Sequence, residues 1–322
     1  MDALSDVMAA VRLTSNAFLD ARFTAPWCIA SQIGPEDCAP LGVVPAHIIA
    51  YHYVVTGRLF LELEGAMPVE VISGEIVLLP RNDRNALGSS PGLRPVVVDP
   101  LIQPADGTGP AALRLGGGGE GTHVICGYLG CDVPHNPLLE ALPAVLKLNV
   151  HQGLGGAWIG DSFQRAAEEF ATSGIGSTTV LSKLAELLFV EAVRRYLATL
   201  SEDQTGWLAG LRDRVVGPAL ALLHARAAHS WTTEELAQHV GLSRSALAER
   251  FNDLVGMPPM RYLAHWRLQL AAVRLRESPR SIAQVAYDVG YQSESAFSRA
   301  FKRAFGIAPG AWRRRNDGIS RE

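Results

Sequence analysis

Two sets of side chains in the last third of the chain have the types that read the edges of nucleic-acid bases. Arg244, Ser245, Ala248 and Glu249 form one set; Glu294, Ser295, Ser298, Arg299 and Lys302 form the other. Arginine pairs with guanine, glutamate accepts from the cytosine amine, and serine bonds to several bases. The sets face outward because their neighbours face inward. Leu247, Phe251 and Leu254 share one helical face, as do Phe297, Phe301 and Phe305. Ser243 and Ser293 stand where a helix N-cap is wanted. Polar residues on one helix are most often a solvated face, so residue type alone decides nothing. Repetition decides it.

The same punctuation occurs twice. Gly241 and Gly290 lie 49 residues apart, whereas Phe251 and Phe301, Gly256 and Gly306, and Pro259 and Pro309 each lie 50 apart. The second turn is therefore one residue longer. Two helices joined by a short glycine-containing turn form a helix-turn-helix, and two copies in tandem point to DNA. Between them, Met260 to about Glu277 predicts one helix without Gly or Pro, spanning roughly 27 Å. That is close to the ~34 Å between major-groove openings on one face of B-DNA.

Charge divides along the same line. Residues 210–322 hold 17 Lys and Arg against 10 Asp and Glu, leaving 12 against 22 of the chain totals for residues 1–209. A basic end on an acidic body suits phosphate binding. Almost all of these cations are arginines, among them Arg261, Arg267, Arg274, Arg276, Arg280 and Arg313–Arg315.

Residues 210–315 resemble the DNA-binding domain of the AraC/XylS family of bacterial transcription regulators. The likeness rests on Leu236-Ala, Gly241-Leu-Ser, Leu247 and Phe251. Above all it rests on the run from Asp288-Val-Gly-Tyr-Gln-Ser to Phe305-Gly306, followed by Pro309 and Trp312. It implies a seven-helix domain whose two reading helices enter adjacent major grooves. Ala248 and Glu249 depart from the longer donors common in such readers, which implies weak discrimination by the first helix or acceptance from cytosine through Glu249.

The first 135 residues predict short strands cut by Gly, Pro and Asn-Asp, as in a jelly roll. Gly74 and Pro80 match the second signature of the cupin barrel, which this segment resembles. Asn82 replaces its glycine and Asn85 its metal-binding histidine; no His-x-His occurs in the chain. Resemblance to the cupin-type sensor of AraC-type regulators extends through Leu113–Asp132. His52 is expected to face the barrel interior and, with Asn85, to hold an organic effector; no metal or cofactor is expected. Cys28, Cys38, Cys126 and Cys131 lack tight metal-ligand spacing and read as reduced thiols, with a redox sensor or cross-strand zinc site as the alternative.

The expected architecture is α+β multidomain, in three parts. They are a cupin-like jelly-roll barrel (1–135), a helical dimerisation segment (136–209) and an all-α domain with two helix-turn-helix motifs (210–322). In the middle part, Leu181, Leu184, Leu188, Ala192 and Tyr196 make an apolar stripe, with Leu187 and Val190 beside it, assigned to a homodimer seam. Expected partners are promoter DNA, a small-molecule effector, a second copy and, as a candidate, RNA polymerase. Asp2 and Asp6 stand where a secretory signal carries basic residues, and no apolar run approaches a membrane span. Cytoplasmic residence is therefore expected, on the nucleoid when DNA is bound. A non-enzymatic transcription regulator is the reading; a cupin enzyme with a DNA-binding tail is the rival.

Overall fold

A computed structural model describes the chain except residues 1–2, 12, 39–44, 99–100, 104–110, 132–135, 153–155, 173–174, 202–203 and 318–322. It separates into two compact units. One comprises residues 13–131 and 142–196; the other comprises 1–12, 132–141 and 197–322.

The first unit holds two sheets and a short helix, α2 (Pro35–Cys38). The larger contains β1 (Thr14–Thr24), β3 (His47–Thr56), β6 (Glu75–Leu79), β8 (Ala111–Gly116), β9 (Gly121–Cys131) and β10 (Leu146–Asn149), in the order β10-β6-β3-β9-β1-β8. The smaller contains β2 (Cys28–Ser31), β4 (Arg58–Leu63), β5 (Val69–Ile72) and β7 (Asn85–Gly88), in the order β2-β7-β4-β5. All pairings are antiparallel except β1 with β8. Strand alternation supplies the core: Ala50 and Val54 of β3, Leu59 and Leu61 of β4, and Val124 and Cys126 of β9 belong to one buried apolar cluster. This is the expected sheet-rich fold.

At the position where the cupin signature wants glycine, Asn82 adopts φ 52°, the single positive φ of a non-glycine among the described residues. Asparagine tolerates that left-handed turn. Its side chain also staples the turn, accepting from Ile33 N–H (3.2 Å) and donating to Ile33 C=O (2.7 Å).

The other face of the larger sheet meets helices. Tyr53 donates to Gln164 (2.6 Å) and packs edge-on against Phe163, both in α4 (Gly156–Ala171). Helix α5 (Ser177–Thr199) buries Leu181, Ala185, Leu188, Phe189, Ala192 and Val193. The stripe assigned to a dimer seam is therefore largely this unit's own core. A sheet with tyrosines on its outer face needs covering. Leu184 is only half-buried, and Val180 and Leu187 are exposed. Residues 142–196 accordingly pack with the barrel instead of forming a separate segment.

The second unit contains α6 (Trp207–Arg212), α7 (Val216–Ala225), α8 (Thr233–His239), α9 (Arg244–Val255), α10 (Pro259–Glu277), α11 (Ile282–Asp288), α12 (Glu294–Phe305) and α13 (Pro309–Asp317). From α7 onward these are the seven helices that the resemblance implies. Two short helices from earlier in the chain belong to this unit as well. Helix α1 (Ala3–Val11) packs on α7 and α10 and buries Val7 completely, and α3 (Pro137–Ala141) packs on α6.

Candidate nucleic-acid interface

Each helix-turn-helix is built by the same local devices. Ser243 accepts a hydrogen bond from Ala246 N–H and Ser293 accepts one from Ala296 N–H, both at 3.2 Å, and these caps fix where α9 and α12 begin. Gly256 and Gly306 end them in the left-handed conformation, at φ 79° and 77°. The turn glycine Gly290, at φ 91°, is obligatory for a second reason: a Cβ there would lie 2.8 Å from the Ala228 carbonyl oxygen.

Inward faces fall as the spacing requires. Leu247 and Phe251 of α9, and Phe297 and Phe301 of α12, are fully buried. Outward, Arg244, Ser245 and Glu249 are exposed, as are Glu294, Ser295, Arg299 and Lys302; Ala248 and Ser298 are half-exposed. The hydroxyls of Ser245 and Ser295 approach the capping serines at 3.3 and 3.4 Å, so the two faces begin alike. All nine residues singled out from the sequence thus lie on the open faces of α9 and α12.

Many other arginines are engaged within the fold, which a charge count does not reveal. Arg267 donates to the carbonyls of Ala227 and His229, both at 2.7 Å. Arg276 lies 4.5 Å over the Trp312 ring. Arg313 bonds to the carbonyls of Leu275 and Arg280, Arg274 to that of Asp288, and Arg280 pairs with the Asp288 carboxylate. Arg250, on α9 itself, grips Asp213 through Nε at 3.1 Å to both carboxylate oxygens. Burial pushes the Asp213 carboxyl up, but Arg250 and the backbone N–H groups of Val216 and Val215 outweigh it and hold the pKa at about 2. Arg244, Arg261, Arg299, Lys302 and Arg303 remain exposed to solvent.

In the first unit, His52 and Asn85 are buried on opposite sheets. His52 shares its face with Ala50 and Val54, and Asn85 shares its face with Leu87, so both turn toward the core between the sheets. His52 Nδ1 is 3.1 Å from Cys126 Sγ, while His52 Nε2 and Asn85 Oδ1 have no hydrogen-bond partner among the described residues. Burial pulls the His52 pKa down to about 4; burial, then Asp20, pushes that of Cys126 up to about 12. Both groups are neutral at pH 7. Glu62 lies on the opposite strand face from Leu61 and accepts from Gly92 N–H at 3.0 Å. All four cysteines are buried free thiols, and no three His, Cys, Asp or Glu side chains gather for a metal among the described residues. No spacing in the sequence predicts the cysteine–histidine contact. Its signal, a cross-strand pairing of His52 with Cys126, depends on strand register, which spacing does not reveal.

Known proteins divide the chain similarly. Residues 2–198 match the cupin family, and residues 236–315 match a family described as a helix-turn-helix domain. A putative AraC-like transcription regulator of Streptomyces lividans is 32% identical, over 98% of both chains. The chain belongs to the AraC family of transcription regulators. The regulator AlkR of Acinetobacter baylyi is 30% identical, over 98% of this chain and all of that one. The DNA-binding domain of AdpA, solved in complex with a target DNA, is 27% identical over 32% of this regulator and 93% of that chain, with a TM-score of 0.31. No described helix is long and apolar enough to cross a membrane.

Proposed function

We propose that this regulator binds promoter DNA through α9 and α12, with Arg244 and Arg299 as the main readers of base edges. Ser245, Ala248 and Glu249 flank the first, and Glu294, Ser295, Ser298 and Lys302 flank the second. The observation that carries the reading is the paired open faces, each begun by a capping serine and each presenting an exposed arginine. The two faces differ in net charge: Arg244 and Glu249 cancel on the first, whereas Arg299 and Lys302 outweigh Glu294 on the second. The second helix therefore supplies more affinity. Binding of a promoter fragment across a salt series tests this. If Arg244, Arg261, Arg299, Lys302 and Arg303 each neutralise one phosphate, log affinity falls against log salt with a slope of about −4.5. A nearly flat line removes DNA binding as the main role.

The barrel serves as a non-catalytic sensor in this reading. His52 Nε2 and Asn85 Oδ1 are buried polar atoms without a partner among the described residues, which suits a hydrogen-bonding organic effector. An effector that binds one arrangement better shifts the population presented to DNA. The thiol alternative has weaker support, since a buried Cys126 with its pKa near 12 is a poor nucleophile. A homodimer would use exposed Val180 and Leu187 with half-buried Leu184 of α5, and RNA polymerase is the further partner. The setting is the cytoplasm, where promoter DNA is found.

A further inference from the structure

A cavity of about 380 Å³ lies within the second unit, away from the outward residues of α9 and α12. Met257, which follows α9, and Ala304 and Phe305, which end α12, form walls from both reading motifs. Tyr262 and Trp266 come from α10, the helix joining the motifs, and Glu140 comes from α3. Mostly apolar walls with a few polar groups, at this volume, are the usual form of a small-molecule site. Trp266 is 3% exposed, and its indole N–H has no hydrogen-bond partner among the described residues. Such a donor invites an acceptor. Among the described residues that line it, the acid and the base are Glu140 and His265, and both are exposed. Burial and Arg261 lower the His265 pKa against the pull of Glu140, so the histidine is neutral at pH 7.

We propose that this cavity binds a compact, uncharged aromatic molecule carrying a hydroxyl or carbonyl group, and that its occupancy changes affinity for DNA. An aromatic body suits Tyr262, Trp266 and Phe305, and an acceptor oxygen suits the Trp266 indole. A net charge finds no buried partner there. Coupling follows from position: one ligand touches the ends of both reading helices and the helix between them. Only this coupling rests on the assignment of α9 and α12 to DNA; the site itself does not.

Equilibrium dialysis of the full chain against 4-hydroxybiphenyl, with decanoate in parallel, tests the site without DNA. Ala304 is exposed, so Ala304→Trp closes the cavity from its edge; Met257→Trp closes it from another wall. Saturable one-to-one binding of 4-hydroxybiphenyl is expected, at least tenfold weaker in either variant with an unchanged melting temperature. Promoter affinity should shift on adding the probe to wild type and stay constant in the variants. No saturable binding, or equal binding by both variants, overturns the proposal. Decanoate bound as tightly overturns the ligand class. Loss of the probe in variants of a chain that never binds DNA upholds the site and removes the DNA assignment instead.

Discussion

The two helix-turn-helix halves share caps, turns and glycines, yet they are held by different chemistry. Around α12 the core is apolar and aromatic. Phe301 packs against Phe297 at 5.5 Å, Phe305 at 4.5 Å and Trp312 at 5.7 Å between ring centroids. Behind α9 the aromatics are joined by hydrogen bonds. The Tyr262 hydroxyl accepts from the Trp207 indole N–H (2.8 Å) and meets His224 Nε2 at 2.7 Å, while His224 stacks on Trp266 at 4.1 Å. A repeated backbone can thus be specified in two ways. Dispersion and burial provide stability without direction; a buried polar network also fixes orientation, at the risk of large losses when one member is removed.

The largest expected effect tests the apolar half. Phe301→Ala removes the ring at the centre of the aromatic cluster and should cost ~3–5 kcal/mol by chemical denaturation. A loss under about 1 kcal/mol would show that this core reseals and is not jigsaw-packed. Next comes the polar half. Tyr262→Phe keeps the ring but deprives the buried Trp207 N–H of its acceptor, at ~1–3 kcal/mol for a group left unpaired. An unchanged stability would make the network incidental and erase the distinction between the halves.

Outer faces extend the comparison to DNA. Arg299→Ala should weaken promoter binding by ~1–3 kcal/mol and relax preference at one base position. Arg244→Ala should cost less, because Glu249 already opposes phosphate approach on α9 and Lys302 assists it on α12. Footprinting with both variants checks the order. Equal losses would mean that the first reader is as strong as the second.

What the sequence disclosed follows from which forces are local. The α12 core was readable because Phe297, Phe301 and Phe305 recur every four residues within one helix. Half of the α9 core was not, because Trp207 and His224 reach it from α6 and α7, and no periodicity links them to Phe251. Alternation alone does not choose between His52 and the Tyr51–Tyr53 face; the resemblance to the first cupin signature turns His52 toward the barrel core, and its meeting with Cys126 requires the register of two distant strands. The stripe on α5 was visible, but its partner was not: a helix face that seals a sheet looks the same in sequence as one that seals a second copy. Helix α1 is short and mostly apolar, and nothing in its own sequence names the distant helices α7 and α10 on which Val7 docks. Arginine counts misled for a related reason, since carbonyl acceptors carry no sequence signal.

The smallest expected effect concerns how each reading helix is tied to its surroundings. On α9, Arg250 holds Asp213, which also accepts from the N–H groups of Val215 (2.9 Å) and Val216 (2.8 Å) at the start of α7. The matching position on α12 is Ala300, which has no charge to offer; the second half instead pairs Arg280 with Asp288, at the end of α11. The clamp on α9 therefore carries a pH dependence of its own. Folded Asp213 has a pKa of about 2, below its ordinary 3.8, so its ionised form favours the folded state. That stabilisation is fully present above about pH 4 to 5 and fades as the pH falls through 2. Asp213→Asn keeps an acceptor for the two N–H groups but loses the charge, and should cost ~1–2 kcal/mol at pH 7. Calorimetry of both proteins should show their melting temperatures converging as the pH drops toward 2. A difference that stays constant across that range would assign the role of Asp213 to its backbone hydrogen bonds alone, leaving the two halves electrostatically alike.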